Sequence, residues 1–182
     1  MYPFNQVETT TKKSKWLNPI YWIVIHHTAW WTFESNMRYL SKSTAKASVH
    51  FVIWENGECG KIWDPTDKLR HAGNGSRWGM DNVNNGFLWI EVVGFWDFNI
   101  KQLIRLTDLV EYLMWTFPSI DRNNIVRHSD VTQDREITRK KILRDGQRKV
   151  KKIDIWLKFF WDNEYFKLWR DQLKPKTESQ LK

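Results

Sequence analysis

Ile23-Val24-Ile25-His26-His27-Thr28 is an apolar, partly β-branched run that stops on two imidazoles. With the aromatic residues before it, residues 21–27 read as a buried strand. Phe87-Leu88-Trp89-Ile90-Glu91-Val92-Val93 is a second run of the same kind, broken only by the carboxylate of Glu91. Working outward from these two, the chain alternates strand and helix signals. Thr32 is placed to cap a short helix with Phe33, Met37 and Leu40 at helical spacing. Residues 49–54 and 58–63 flank Glu55-Asn56-Gly57, and Asn-Gly between apolar runs predicts a hairpin. Residues 64–86 hold Pro65, several glycines and many Asn and Asp, the composition of a long loop. Asn99 then starts an amphipathic helix with Ile100, Leu103, Ile104, Val110, Leu113 and Met114 on one face, and Asn99 with Gln102 resembles a capping pair. Pro118 ends that helix, and Asn124 to Arg127 is a short final strand. The order β-α-β-β-β-α-β implies an α/β fold, a mixed central β-sheet flanked by α-helices.

The bulk composition narrows the class. A chain of 182 residues with 41% hydrophobic and 27% charged content suits one globular domain with a normal core. No apolar run approaches the ~20 residues needed to span a bilayer. Met1 to Lys15 is polar and lacks the apolar centre of a signal peptide, so the expectation is a cytoplasmic product that reaches any wall target after release. Cys59 stands alone, which excludes an internal disulfide. Thirteen Trp and a net charge of +8 are compatible with nucleic acid, an anionic wall polymer or an acidic membrane surface; equally, Trp fills a core and Lys and Arg solvate a surface.

The chemistry lies in the histidines. All five fall in short motifs: His26 and His27 at the end of the first strand, His50 in Ala47-Ser48-Val49-His50-Phe51, His71 in Arg70-His71-Ala72-Gly73-Asn74, and His128 in Asn124-Ile125-Val126-Arg127-His128-Ser129-Asp130-Val131. Histidine is the commonest protein metal ligand and a proton carrier near neutral pH. Histidines at strand ends can be held rigidly at the rim of a sheet.

These four motifs, in this order, resemble the zinc-dependent N-acetylmuramoyl-L-alanine amidases, the superfamily that also holds phage amidase endolysins and peptidoglycan recognition proteins. The resemblance covers about residues 20–156 and implies the mixed sheet already read from the pattern. It divides the chain into an N-terminal extension over 1–19, a zinc amidase domain over 20–158, and an extra aromatic C-terminal helix with a polar tail over 159–182. Family zinc is held by two His and a third ligand, Asp or Cys. His26 and His128 match the two His, and His27, pointing to the other side of its strand, reads as a core residue.

The third ligand departs from the pattern. Members commonly carry Lys-x-Asp shortly after the second His, whereas here Thr132-Gln133-Asp134-Arg135-Glu136 follows. Lys152-Ile153-Asp154 occurs later, so residues 135–151 read as a basic insertion, Asp154 as the third ligand and Lys152 as the catalytic lysine. Glu136 and Asp134 are the competing ligands. Three protein ligands leave one zinc position open, which marks a catalytic site. Glu91 matches the family's general base, since a carboxylate in an apolar strand is costly without a task or partner; the alternative is an edge-strand Glu facing solvent. Lys152 would stabilise the oxyanion. His71 and Asn74 fall to substrate binding. His50 reads as substrate-binding, as a partner orienting a ligand, or as structural. Trp89 and Arg127 stand where small residues, often Gly, are usual.

Residues 154–173 read as helical, with Trp156, Phe159, Phe160, Phe166, Trp169 and Leu173 on one stripe. Trp161, Tyr165 and Leu168 form a second set, beyond the one apolar face a surface helix needs. It implies either deeper burial or a wall or membrane-surface contact. The resemblance implies hydrolysis of the amide between N-acetylmuramic acid and L-alanine in peptidoglycan, with Zn2+ as cofactor, in an endolysin-like lytic role. The alternatives are a muropeptide-recycling amidase in the cytosol and a catalytically inactive peptidoglycan-binding module. No specific nucleic-acid partner is expected, because nucleic-acid binding would leave the histidine motifs unexplained.

Overall fold

A computed structural model gives the fold; it describes residues 4–6, 19–28, 33–42, 45, 47–69, 71, 86–94, 99–131 and 163–175. Among them, β1 (Asn5–Gln6), β2 (Trp22–Thr28), β3 (Phe51–Ile53), β4 (Cys59–Lys61), β5 (Phe87–Val93) and β6 (Ile125–Arg127) form a six-stranded sheet in the order β1-β4-β3-β5-β2-β6. The two apolar runs are its centre. β2 and β5 pair in parallel along their full length, from Trp22 opposite Phe87 to Thr28 opposite Val93. β6 joins the other side of β2 in parallel, and β3 the other side of β5. Every residue of β5 is buried, as befits a strand flanked on both edges and covered on both faces. The mixed sheet expected from the pattern is the one found.

Strand alternation sends two residue sets to two cores. On one face Ile23, Ile25, Leu88, Ile90 and Val92 meet Leu106, Leu109, Val110 and Leu113 of α2 (Ile100–Thr116). On the other, Val24, Phe87, Trp89 and Val126 meet Trp54, Ile62, Trp63 and Leu69, with Leu40 at the end of α1 (Phe33–Leu40). Each fully buried Leu, Ile or Val contributes about 1.5–3 kcal/mol, so the two layers fix the sheet's register.

The hairpin forms as expected: β3 and β4 are antiparallel, Gly57 N–H donates to Trp54 O, and Trp54 N–H donates to Glu58 O. Gly57 has φ +85°, the left-handed conformation that a three-residue turn of this kind needs. The turn leans on the start of α2, where Asn99 Nδ2 donates to Glu55 O and Arg105 Nε donates to Gly57 O. Asn99 and Gln102 make the full reciprocal capping box.

The buried face of α2 differs from the sequence expectation. Ile100 and Ile104 are 66% and 57% exposed, and the inward face runs through Gln102, Leu106, Leu109, Val110, Leu113 and Met114. The reason is Gln102: its Oε1 caps Asn99 N–H and its Nε2 donates to Val93 O. Those bonds turn that side of the first helical turn toward the sheet and rotate Ile100 and Ile104 out.

Both ends of the chain add to the frame. Asn5–Gln6 lies parallel to β4, and Phe4 packs on Phe51 and Tyr112, so part of the segment expected as an extension belongs to the sheet edge. Helix α4 (Asn163–Gln172) buries Phe166, and Leu173 is buried just past its end. Trp169 Nε1 donates to Thr107 Oγ1 of α2, and Arg122 Nη1 donates to Asp171 O. Tyr165 and Leu168, of the second set, are exposed, and Trp161 lies outside the described residues. No helix among the described residues is long and apolar enough to cross a membrane.

Candidate active site

The carboxyl ends of β2 and β5, with the loop after β4, bring His26, Glu91 and His71 together. His26 pairs with Glu91 across β2 and β5, and paired residues of parallel strands share a face. The side chains meet: His26 Nδ1 lies 2.9 Å from Glu91 Oε2. His71, arriving from the loop after β4, puts Nε2 3.2 Å from His26 Nδ1 and 3.5 Å from Glu91 Oε2. The His26 side chain is 23% exposed whereas that of Glu91 is 4% exposed, so His26 is the member that faces outward.

His71 is held from two sides. Its Nδ1 is 3.3 Å from Ser48 O; a carbonyl only accepts, so Nδ1 carries a proton and Nε2 is the nitrogen turned toward Glu91 and His26. Its ring stacks on Trp89 at 4.8 Å between centroids. Trp89 is fully buried, and it stacks in turn on Phe87. The large residue at a usually small position therefore backs His71.

Glu91 sits in a central strand, which removes the edge-strand alternative. Burial pushes its carboxyl up to about 7, with His71 acting in the opposite direction. A carboxyl at that value exchanges a proton near neutrality.

His50 is a different case. It is fully buried, Trp89 N–H donates to its Nδ1 at 3.0 Å, and its Nε2–H donates to Asp67 O at 3.1 Å. Both nitrogens are taken by backbone, which leaves no atom for a substrate; its geometry is that of a clamp between β5 and the turn at Asp64–Asp67. Burial lowers its pKa to about 4, against the opposing bond to Asp67. The sequence reading missed Asp67, whose carbonyl is aimed by the turn bond from its own N–H to Asp64 O and by its Oδ2, which accepts from Asp64 N–H. Asp-Pro-Thr-Asp was the available turn signal.

His128 is the first residue of α3 (His128–Val131). The last β2–β6 pair is Ile25 with Arg127, so His26 and His128 are the next residues on neighbouring strands. His27 is buried on the α2 side of the sheet, as expected from strand alternation. The His128 side chain, Asn74, Lys152 and Asp154, and the competing Asp134 and Glu136, lie outside the described residues. One ligand atom from each of His26, His71 and Glu91 lies within 4.8 Å of the others, a group able to hold a metal ion. Imidazole nitrogens and a carboxylate oxygen are a donor set that zinc accepts. Elsewhere, burial pushes the Cys59 thiol up to about 12, which makes it inert.

Comparison with known proteins agrees with this geometry. The family model for N-acetylmuramoyl-L-alanine amidase matches residues 16–141, which takes in all five histidines and Glu91 and stops before Lys152 and Asp154. The 1,6-anhydro-N-acetylmuramyl-L-alanine amidase AmpD of Haemophilus influenzae is 29% identical over 94 residues, 50% of this chain and 51% of that protein. The chain thus spans about half the length of this curated relative. Among solved structures, a selenomethionine derivative of AmpD superposes with a TM-score of 0.60 at 18% identity, over 74% of this chain and 86% of that one. AmpDh3 of Pseudomonas aeruginosa, in complex with an anhydromuramic pentapeptide, gives 0.58 at 21% identity, over 71% and 59%. The peptidoglycan recognition protein SD of Drosophila gives 0.53 at 22% identity, over 68% and 78%. These likenesses establish the fold.

Proposed function

The chain belongs to the N-acetylmuramoyl-L-alanine amidase family, and from that premise we propose that it hydrolyses the amide between the lactyl group of N-acetylmuramic acid and L-alanine in peptidoglycan, with zinc as cofactor. The observation that carries the reading is the His26–Glu91–His71 cluster at the carboxyl ends of β2 and β5. Of that cluster His26 would hold zinc, with His128 and Asp154 completing the set and Glu136 competing for the third place, while Glu91 and His71 would act on water and substrate. When bound, zinc lowers the pKa of water and polarises the scissile carbonyl.

The chain's own residues supply the rest. Glu91 Oε2 takes a proton from the attacking water and returns it to the amine of the departing L-alanine. In the metal-free protein its burial pushes this carboxyl up to about 7. His71, its Nδ1–H held on Ser48 O, presents Nε2 beside Glu91 and orients the polar groups of the substrate. Asn74, three residues further along the sequence, assists it, and Lys152 offsets charge developing on the carbonyl oxygen.

Two observations bear on the substrate's form. The charge of +8 favours the intact, anionic wall and an endolysin-like role. The similarity to AmpD favours a released 1,6-anhydromuropeptide. A binding module without catalysis is the remaining reading, favoured by the family match ending before Lys152 and Asp154. Incubation with purified peptidoglycan and with anhydromuropeptide, with and without added zinc, separates the three. New L-alanine amino groups without new reducing sugar ends support the amidase, and the preferred substrate assigns the role. Sedimentation with peptidoglycan but no release from either substrate would sink the enzyme reading and leave the module.

A further inference from the structure

Two features of this chain stay unused by the cluster above: Arg127, at a position where a glycine is usual, and the aromatic helix α4. They touch. The Arg127 guanidinium makes a fork to Asp130, with Nε donating to Oδ2 at 2.8 Å and Nη2 donating to Oδ1 at 3.0 Å. Arg127 N–H also donates to Asp130 Oδ2, at 3.1 Å. The guanidinium carbon lies 5.1 Å from the centroid of the Phe166 ring, a cation–π contact supplied by α4. Arg127 and Phe166 are both buried.

These bonds close a ring around His128 and Ser129. α3 has only four residues, too few to be stable as an isolated helical turn. It is pinned on one side by Val131, which is fully buried, and on the other by the Arg127–Asp130 fork. A glycine at 127 could make neither the fork nor the contact with Phe166. Phe166 is placed in turn by its own helix, through the bonds from Trp169 to Thr107 and from Arg122 to Asp171 O, and by the burial of Leu173.

We propose that Arg127 is a positioning residue: its fork to Asp130, backed by Phe166 of α4, holds the turn that carries His128 in register beside His26, so that the C-terminal helix sets the affinity of the metal site. This rests on the reading of His128 as a zinc ligand. A partner that orients a metal-binding group commonly changes metal affinity by about 10- to 100-fold when removed.

The test is the zinc dissociation constant, from competition with a chromophoric chelator, measured beside the melting temperature of the metal-free protein. Arg127→Met is expected to weaken zinc about 10- to 100-fold, and Arg127→Lys less, since lysine keeps the charge and one bond but not the fork. Phe166→Leu keeps an apolar side chain in place and removes the ring, so it folds even where Arg127→Met does not; the expected loss is about three- to tenfold. Trp169→Phe weakens α4 packing without touching Arg127. It is expected to lower the melting temperature at least as much as Phe166→Leu and, because its bond helps to place Phe166, to weaken zinc by less than Phe166→Leu does. Wild-type affinity in Arg127→Lys and Phe166→Leu, beside a weakened His128→Ala, overturns this proposal alone; so does an equal loss in Trp169→Phe. A wild type that takes up no zinc, or a His128→Ala variant that binds as tightly, overturns the metal reading and this proposal with it.

Discussion

His50→Gln separates the scaffold from the reactive site by a difference in pH dependence. Neutral His50 accepts from Trp89 N–H and donates to Asp67 O. A protonated ring has two donors, so its Nδ1–H would face the Trp89 N–H and that bond would break. Burial therefore holds the pKa at about 4 instead of 6.5. Between those values the unfolded chain binds a proton that the folded chain does not. The stability from the neutral ring is thus complete above 6.5 and is lost as pH falls toward about 4. At ~1.4 kcal/mol per pH unit, the loss amounts to about 3 kcal/mol. Glu91 titrates in the opposite sense, its burial favouring the folded state below 4.5 and costing stability as pH rises through about 7. That contribution is common to wild type and variant and cancels in their difference. The assay is urea unfolding of metal-free wild type and His50→Gln from about pH 7.5 to about pH 4.5. At the upper end the variant should be less stable by about 1–3 kcal/mol, since Gln replaces at most one of two buried bonds. Toward the lower end the gap should close by about 2–3 kcal/mol. Curves that stay parallel would refute the neutral, doubly bonded His50.

Glu91→Gln should lower amide cleavage by about 10²–10⁴-fold with circular dichroism unchanged, and should stabilise the metal-free protein near pH 8 by up to about 3 kcal/mol, because a buried charge is gone; unchanged cleavage would remove Glu91 as the base. Chelation should abolish cleavage and zinc restore it, and elemental analysis of Asp154→Ala beside Glu136→Ala should show zinc lost from the first and kept by the second, the reverse moving the third ligand to Glu136. Gly57→Ala should cost about 1–3 kcal/mol in thermal unfolding, since φ is +85° and an added Cβ would lie 2.9 Å from Lys101 Cβ; a neutral effect would mean that the turn rearranges freely.

What the sequence made legible follows from how local each signal is. The runs at 22–28 and 87–93 read as strands because burial on both faces makes them apolar throughout. The Asn56-Gly57 turn and the Asn99/Gln102 box are set by residues a few positions apart, and both appear as read. The face of α2 was misjudged because hydrophobic spacing alone ranks Ile100 and Ile104 above Gln102. A polar side chain bonded to Val93 O took the buried place, and that partner is not local. β1 gave no signal, since two residues show no alternation and their pairing with β4 is made by backbone. At the site, His26 and Glu91 were legible as exceptions in apolar runs. The Ser48 and Asp67 carbonyls that anchor the rings of His71 and His50 were not, because every residue carries a carbonyl and only the fold says where it points.

His50 and Glu91 show why burial alone does not mark a catalytic group. Both are at least 96% shielded, and desolvation is the leading cause of both shifts, one down to about 4 and one up to about 7. In each case the neutral form is favoured. The difference lies in what the polar atoms face. The partners of His50 are an amide and a carbonyl of the main chain, which cannot exchange a proton near neutrality, so it titrates only by breaking the clamp. Glu91 faces two imidazole side chains at the rim of the sheet, one of them partly exposed. The same desolvation makes one residue part of the frame and poises the other to move a proton. Proton exchange in the metal-free protein should therefore begin at the carboxyl ends of β2 and β5, and leave the clamp under them untouched until the pH approaches 4.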